Sequence, residues 1–151
     1  MVLGMVGCND YSMPKYKPSE SKQVIATSET DTKMFLSQKV QDVLSNVAGV
    51  SSQLLIYQEN SIVPTASTKA ALSQSIDESI KNIDKNVTYL TSFKPASAYA
   101  SKRDNIVKLM NNFKENLNEI YNAVKKDNFK KLKELYRNYE SILSQLQTIS
   151  Q

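Results

Sequence analysis

Residues 30–58 read TDTKMFLSQKVQDVLSNVAGVSSQLLIYQ. Within them Leu36, Val40, Val43, Val47, Val50, Leu54 and Tyr57 recur at steps of four, three, four, three, four and three. Steps alternating between three and four keep successive side chains on one face of an α-helix, so the stretch predicts an amphipathic helix with a continuous apolar seam. Phe35, Leu44 and Leu55 widen that seam, which favours a core shared by several helices over a two-stranded coiled coil. Glu29 and Asp31 stand where the positive end of the helix dipole welcomes acids. Gly49 inside the pattern costs about 1 kcal/mol relative to Ala. Its expected use is the close approach of a neighbouring helix, or a mild kink.

Three more segments repeat the pattern. Residues 59–66 hold Pro64 and no apolar period, which marks a loop. A second helix is expected from an N-cap at Ser67 to Phe93, with Leu72, Ile76, Ile80, Ile83, Val87, Leu90 and Phe93 inward. Asp77 and Lys81 support its surface as an acid-first pair four apart. Pro95 ends it, because proline disfavours a helical residue before it and has no donor of its own. A third helix over about 97–126 turns Ile106, Leu109, Met110, Phe113, Leu117, Ile120 and Val124 inward. Continuing its phase would bury Asp127 and Lys131, so the stripe breaks there and restarts as Phe129, Leu132, Tyr136, Tyr139, Leu143, Leu146 and Ile149. A tight turn at Asp127 and Asn128, one of them capping a fourth helix over 128–150, accounts for the shift. A single bent helix is the structural alternative. Four amphipathic helices with short connections predict an all-α, up-down-up-down four-helix bundle over residues 29–151. Each stripe then has a partner within the chain, so a monomer is the simplest expectation.

The chain has 151 residues, one Cys and no His. About 120 residues bury a core without staples, and one cysteine allows no internal disulfide. No apolar run reaches the length of about eighteen residues needed to span a bilayer. The absence of His removes the commonest general base, the Ser-His and Cys-His nucleophile pairs, and most transition-metal ligand sets. Only Gly4, Gly7 and Gly49 are glycines, so no phosphate-cradling loop exists. Glu115 with Glu119, and Asp77 with Asp84, fall at helical spacing but lack the glycine-bearing loop of a calcium site, and are read as solvated faces. The pattern Asn86-Val87-Thr88 matches a glycosylation acceptor, yet Val87 falls on the inferred core face. The expectation is a protein that is not an enzyme, with no cofactor and no metal.

Charge is unevenly placed. Residues 1–100 carry nine Lys against nine Asp and Glu, whereas residues 101–151 carry ten Lys and Arg against six acids. The whole excess of +4 therefore lies in the last third. Lys125, Lys126, Lys130, Lys131, Lys133 and Arg137 form a basic run beside Tyr136 and Tyr139, opposed by Asp127 and Glu134. Such a run can hold anionic polymers, lipid head groups or nucleic acid, and equally can be a solvated face at a helix turn. Helical spacing puts Lys126, Lys130 and Lys133 on one side. Tyr57, Tyr89, Tyr99, Tyr121, Tyr136 and Tyr139 lie on or beside the stripes and are expected to pack with their hydroxyls reaching water.

At the N-terminus, Met5-Val6-Gly7-Cys8 resembles the lipobox of bacterial lipoproteins, with Gly7 and Val6 at the small and aliphatic positions and Met5 in place of the usual Leu. The resemblance implies a diacylated Cys8, cleavage just before it, and an extracytoplasmic, membrane-anchored location. A secretory signal needs a charged start and an apolar run of about seven to fifteen residues, so residues 1–7 are expected to be the remnant of a signal peptide. Residues 8–28, rich in Ser, Lys, Tyr and Pro, are expected to be the anchor cysteine and a flexible linker, about 25 Å across as a random coil. In that family a small helical ectodomain usually binds something such as an envelope protein, a wall polymer or an incoming phage component, and the resemblance implies an envelope protein or anionic polymer as the expected partner. Nucleic acid ranks below both. The alternative is a cytosolic helical interaction module, a small regulator or inhibitor of the kind mobile elements encode.

Overall fold

The structure, a computed structural model, describes residues 28–59 and 65–151. Helices α1 (Glu29–Glu59), α2 (Ala66–Ser92), α3 (Ala100–Lys125) and α4 (Phe129–Ile149) follow one another, with a 3-10 turn at Ser97–Tyr99 before α3. No strand is present among the described residues. Each helix packs on its neighbours in cyclic order, α1 on α2, α2 on α3, α3 on α4 and α4 on α1.

Cross-helix contacts fix the directions. Phe35 meets Phe93 with ring centroids 4.4 Å apart, while farther along α1 Gln53 donates to Ser75 Oγ at 3.0 Å. Lys114 pairs with Asp84 at 2.7 Å, Asn116 Nδ2 donates to the Leu135 carbonyl at 3.1 Å, and Ser37 Oγ donates to the Ser150 carbonyl at 3.1 Å. Every adjacent pair is therefore antiparallel, and the chain is an up-down-up-down four-helix bundle. Ser28 enters at one end, together with the end of α2, the start of α3 and the end of α4. The α3–α4 turn lies at the other, and α1, with 31 residues, separates the two by about 45 Å at 1.5 Å per residue.

The seam of α1 is the predicted one, with Leu36, Val40, Val43, Val47, Val50, Leu54 and Tyr57 each at most 3% exposed. Leu55, expected to widen it, is 46% exposed, and Gly49 is exposed with no atom within 4 Å of where a Cβ would stand. No helix approaches Gly49, and α1 runs through it unbroken.

In α2 the phase differs from the apolar reading. Leu72, Ile76, Ser79, Ile83, Asn86 and Leu90 are buried, whereas Ile80 and Val87 are only partly so. The strict alternation of four and three places two polar residues in the core. Asn86 Nδ2 donates to Asp42 Oδ2 of α1 at 2.8 Å, tying the helices in one register; Ser79 Oγ has no partner among the described residues. Burial of Asn86 also removes it as a glycosylation acceptor. The cap is Thr65 rather than Ser67, its side chain accepting from the Thr68 N–H at 3.1 Å.

On α4, Leu132, Leu135, Tyr139 and Leu146 are buried, while Phe129 is 45% exposed and Tyr136, Leu143 and Ile149 pack at the edge. Leu135 takes the core position. The Tyr139 hydroxyl, expected in water, is buried: it donates to the Val47 carbonyl at 3.1 Å and lies 2.6 Å from Ser51 Oγ. At the end where Ser28 enters, Thr32 is buried and its Oγ1 accepts from the Ala96 N–H at 3.0 Å.

Candidate functional site

The basic residues gather at the end of the bundle remote from Ser28. The local fold that brings them together is a left-handed turn. Asp127, with φ of 52°, follows α3; the Asn128 N–H returns to the Ala123 carbonyl at 2.9 Å and the Asp127 N–H to the Val124 carbonyl at 3.2 Å. This is the doubly hydrogen-bonded helix stop in which the residue past the helix turns left-handed, a conformation Asp and Asn tolerate. Asn128 then caps α4 by accepting from the Lys131 N–H at 3.1 Å. Asp127 is held from the opposite helix, its carboxylate receiving Lys69 Nζ at 2.7 Å. The same hydrogen bond holds the Lys69 amine above its ordinary pKa. Beside them the Tyr57 hydroxyl is buried without a partner among the described residues, and burial, then the Asp127 charge, pushes its pKa up, with Lys69 opposing.

Around this turn the predicted cations divide. Lys131 pairs with Glu134 at 3.0 Å, and Lys125 Nζ lies 5.4 Å from the centre of the Tyr121 ring. Lys126, Lys130, Lys133 and Arg137 are exposed and have no acidic partner among the described residues. Lys130, Lys133 and Arg137 stand at i, i+3 and i+7 on α4, one outward face, with Lys126 across the turn at the cap of α3. No acid occupies the first turn of α4. Lys130 and Lys131 instead stand at the positive end of its dipole, where cations are unfavourable. The end also carries exposed apolar side chains, Phe129 with its ring 5.9 Å from Tyr57, and Leu55 and Ile56 of α1.

A second polar cluster on the α1–α2 face joins Tyr89 and Asn86 to Lys39, Asp42 and Asn82, three residues that the sequence did not single out. Lys39 Nζ sits 4.3 Å from the centre of the Tyr89 ring, and Asp42 accepts from Asn82 and Asn86. Burial lowers the Lys39 pKa; Asp42 opposes the shift and Lys85 adds to it. Only the strict seam phase, which buries Asn86, signals this cluster. At the end where Ser28 enters, an open groove of about 770 Å³ is lined by Met34, Ser37, Gln41, Tyr99 and Ser150 among others.

Among the described residues no three His, Cys, Asp or Glu side chains come together to surround a cation. Asp77 pairs with Lys81 at 2.8 Å and Asp84 with Lys114, while Glu115 and Glu119 are exposed. No helix of the described residues is long and apolar enough to cross a membrane. Cys8 and the segment leading from it lie outside the described residues.

Fold and site together define a class, a four-helix bundle with one strongly basic end. Comparison with protein-family models, with curated proteins and with solved structures finds no match to this chain.

Proposed function

We propose that this chain is a non-catalytic lipoprotein, tethered by a lipid on Cys8 at the extracytoplasmic face of the cell membrane, whose bundle is a binding module at the envelope. The observation that carries the reading is polarity: the chain from Cys8 enters the bundle at Ser28, and Lys126, Lys130 and Lys133, which have no acidic partner among the described residues, stand toward the opposite end, about 45 Å away along α1, with Arg137 farther in along α4. A tether joined at one end leaves the charged surface at the other clear of the junction. The lipobox-like Met5-Val6-Gly7-Cys8 supplies the tether, and location is the lipid's contribution while recognition is the bundle's.

Detergent-phase partitioning tests the tether. Expressed from its own locus, the protein enters the detergent phase and the Cys8→Ala variant stays aqueous. Equal partitioning of the two into the aqueous phase would discard the anchor and favour the cytosolic interaction module, for which pull-downs from cytosol are the next step.

A further inference from the structure

We propose that the end of the bundle built by the α3–α4 turn binds a linear phosphodiester polymer lacking bases, such as a wall-type glycerol phosphate chain, through Lys126, Lys130, Lys133 and Arg137. The inference names the ligand of the envelope reading and takes the polymer's source from it, while the binding chemistry stands on the following geometry.

Three observations carry it. Lys130, Lys133 and Arg137 follow one outward face of α4, at rises of about 4.5 and 6 Å between successive charges. Separated point charges in a row match an anion repeated along a flexible chain better than a single small anion, which calls for convergent donors. Second, these cations lack acidic partners among the described residues, and the two acids nearest the turn in sequence are engaged by other lysines, Asp127 by Lys69 and Glu134 by Lys131. Third, the first turn of α4 contains no acid and carries Lys130 and Lys131 against the helix dipole. Charge placed this way does not serve the helix, and an added polyanion relieves it.

Nucleic acid fits less well. Single strands bind on successive exposed aromatic platforms, and at this end Phe129 is the exposed ring among the described residues, tilted against Tyr57 at 5.9 Å. Tyr136 lies nearly parallel to the buried Tyr139, with centroids 6.0 Å apart.

The test uses the full-length, unlipidated chain, titrated into labelled poly(glycerol phosphate) and, separately, labelled oligo-dT of equal phosphate number, at several salt concentrations. Four contacts predict a slope of log affinity against log salt of about −3, and neutralising Lys126, Lys130 and Lys133 together to Gln leaves a slope of about −0.7. The triple variant is expected to bind at least tenfold more weakly at low salt, and Lys130→Gln alone to melt at the same or a higher temperature. Retained affinity in the triple variant overturns the site. Tighter binding of oligo-dT overturns the ligand class, and a lowered melting temperature of Lys130→Gln overturns the claim that this cation is held against the helix dipole. Each of these outcomes is independent of where the protein partitions, so failure here and failure of the tether are separately visible.

Discussion

Replacing Tyr139 by Ala lowers the unfolding free energy by about 3 to 5 kcal/mol, the cost of emptying an aromatic core position. Tyr139 is fully buried, packs against Phe113 with centroids 5.1 Å apart, and joins α4 to α1 through the Val47 carbonyl and Ser51. It therefore supports the α1–α4 contact, which closes the ring of four helices. Urea denaturation reads the effect as a lowered midpoint at nearly unchanged slope.

The hydroxyl has its own signature. Burial chiefly, opposed by the bond to Ser51, pushes the Tyr139 pKa from 10.0 up to about 12. Below pH 10 the side chain is protonated in both states and its contribution is fully present. Between about 10 and 12 the unfolded chain ionises first, the folded state holds more protons, and stability falls as pH rises, by on the order of 2 to 3 kcal/mol across the window. Tyr139→Phe removes this part of the alkaline slope while keeping the ring. Equal slopes in wild type and Tyr139→Phe between pH 10 and 12 would show that the hydroxyl is not buried as described.

Arg103→Met lowers stability by about 2 to 3 kcal/mol, in line with hydrogen bonds from a charged donor. Arg103 Nη1 donates to the carbonyls of Leu90 and Phe93, both at 2.8 Å, and Nε to Asp104 Oδ1 at 2.8 Å. The guanidinium thus closes the end of α2, satisfying carbonyls that the helix leaves open and placing a cation at the negative end of its dipole. Methionine keeps much of the apolar stem and removes every donor. Arg103→Lys restores charge without the planar fork and recovers only part of the loss. Amide exchange in the last turn of α2 should accelerate in the Met variant beyond the change in global stability; a urea midpoint equal to wild type would mean that the cap contributes nothing.

How far the sequence could be read differs between helices for physical reasons. In α1 every seam position is apolar, so the hydrophobic period and the geometric period coincide. In α2 they separate: Ile80 and Val87 draw the apolar reading one residue past Ser79 and Asn86, which the helix buries. Asn86 finds its partner in Asp42, 44 residues away, and no local pattern announces a bond across two helices. Similarly, Phe129 reads as core from its chemistry, but at the start of α4 its ring lies against Tyr57 and stays 45% exposed, and Leu135 takes the inward place. Arg103 looks like ordinary surface charge near the start of α3 until the end of α2 is seen beside it. The turn at Asp127 and Asn128 was legible because a broken stripe with a capping residue has few alternatives. The basic run was legible as residues. Which of its members keep their charge unpaired depends on Lys69, Glu134 and Tyr121, and required the fold.

The tether is tested most directly by the intact mass of the mature protein from its native host. The expected species is a chain beginning at Cys8 and heavier by a thioether-linked diacylglyceryl group, and it is absent from Cys8→Ala. A mature chain that retains the residues before Cys8 and carries an unmodified thiol would contradict it.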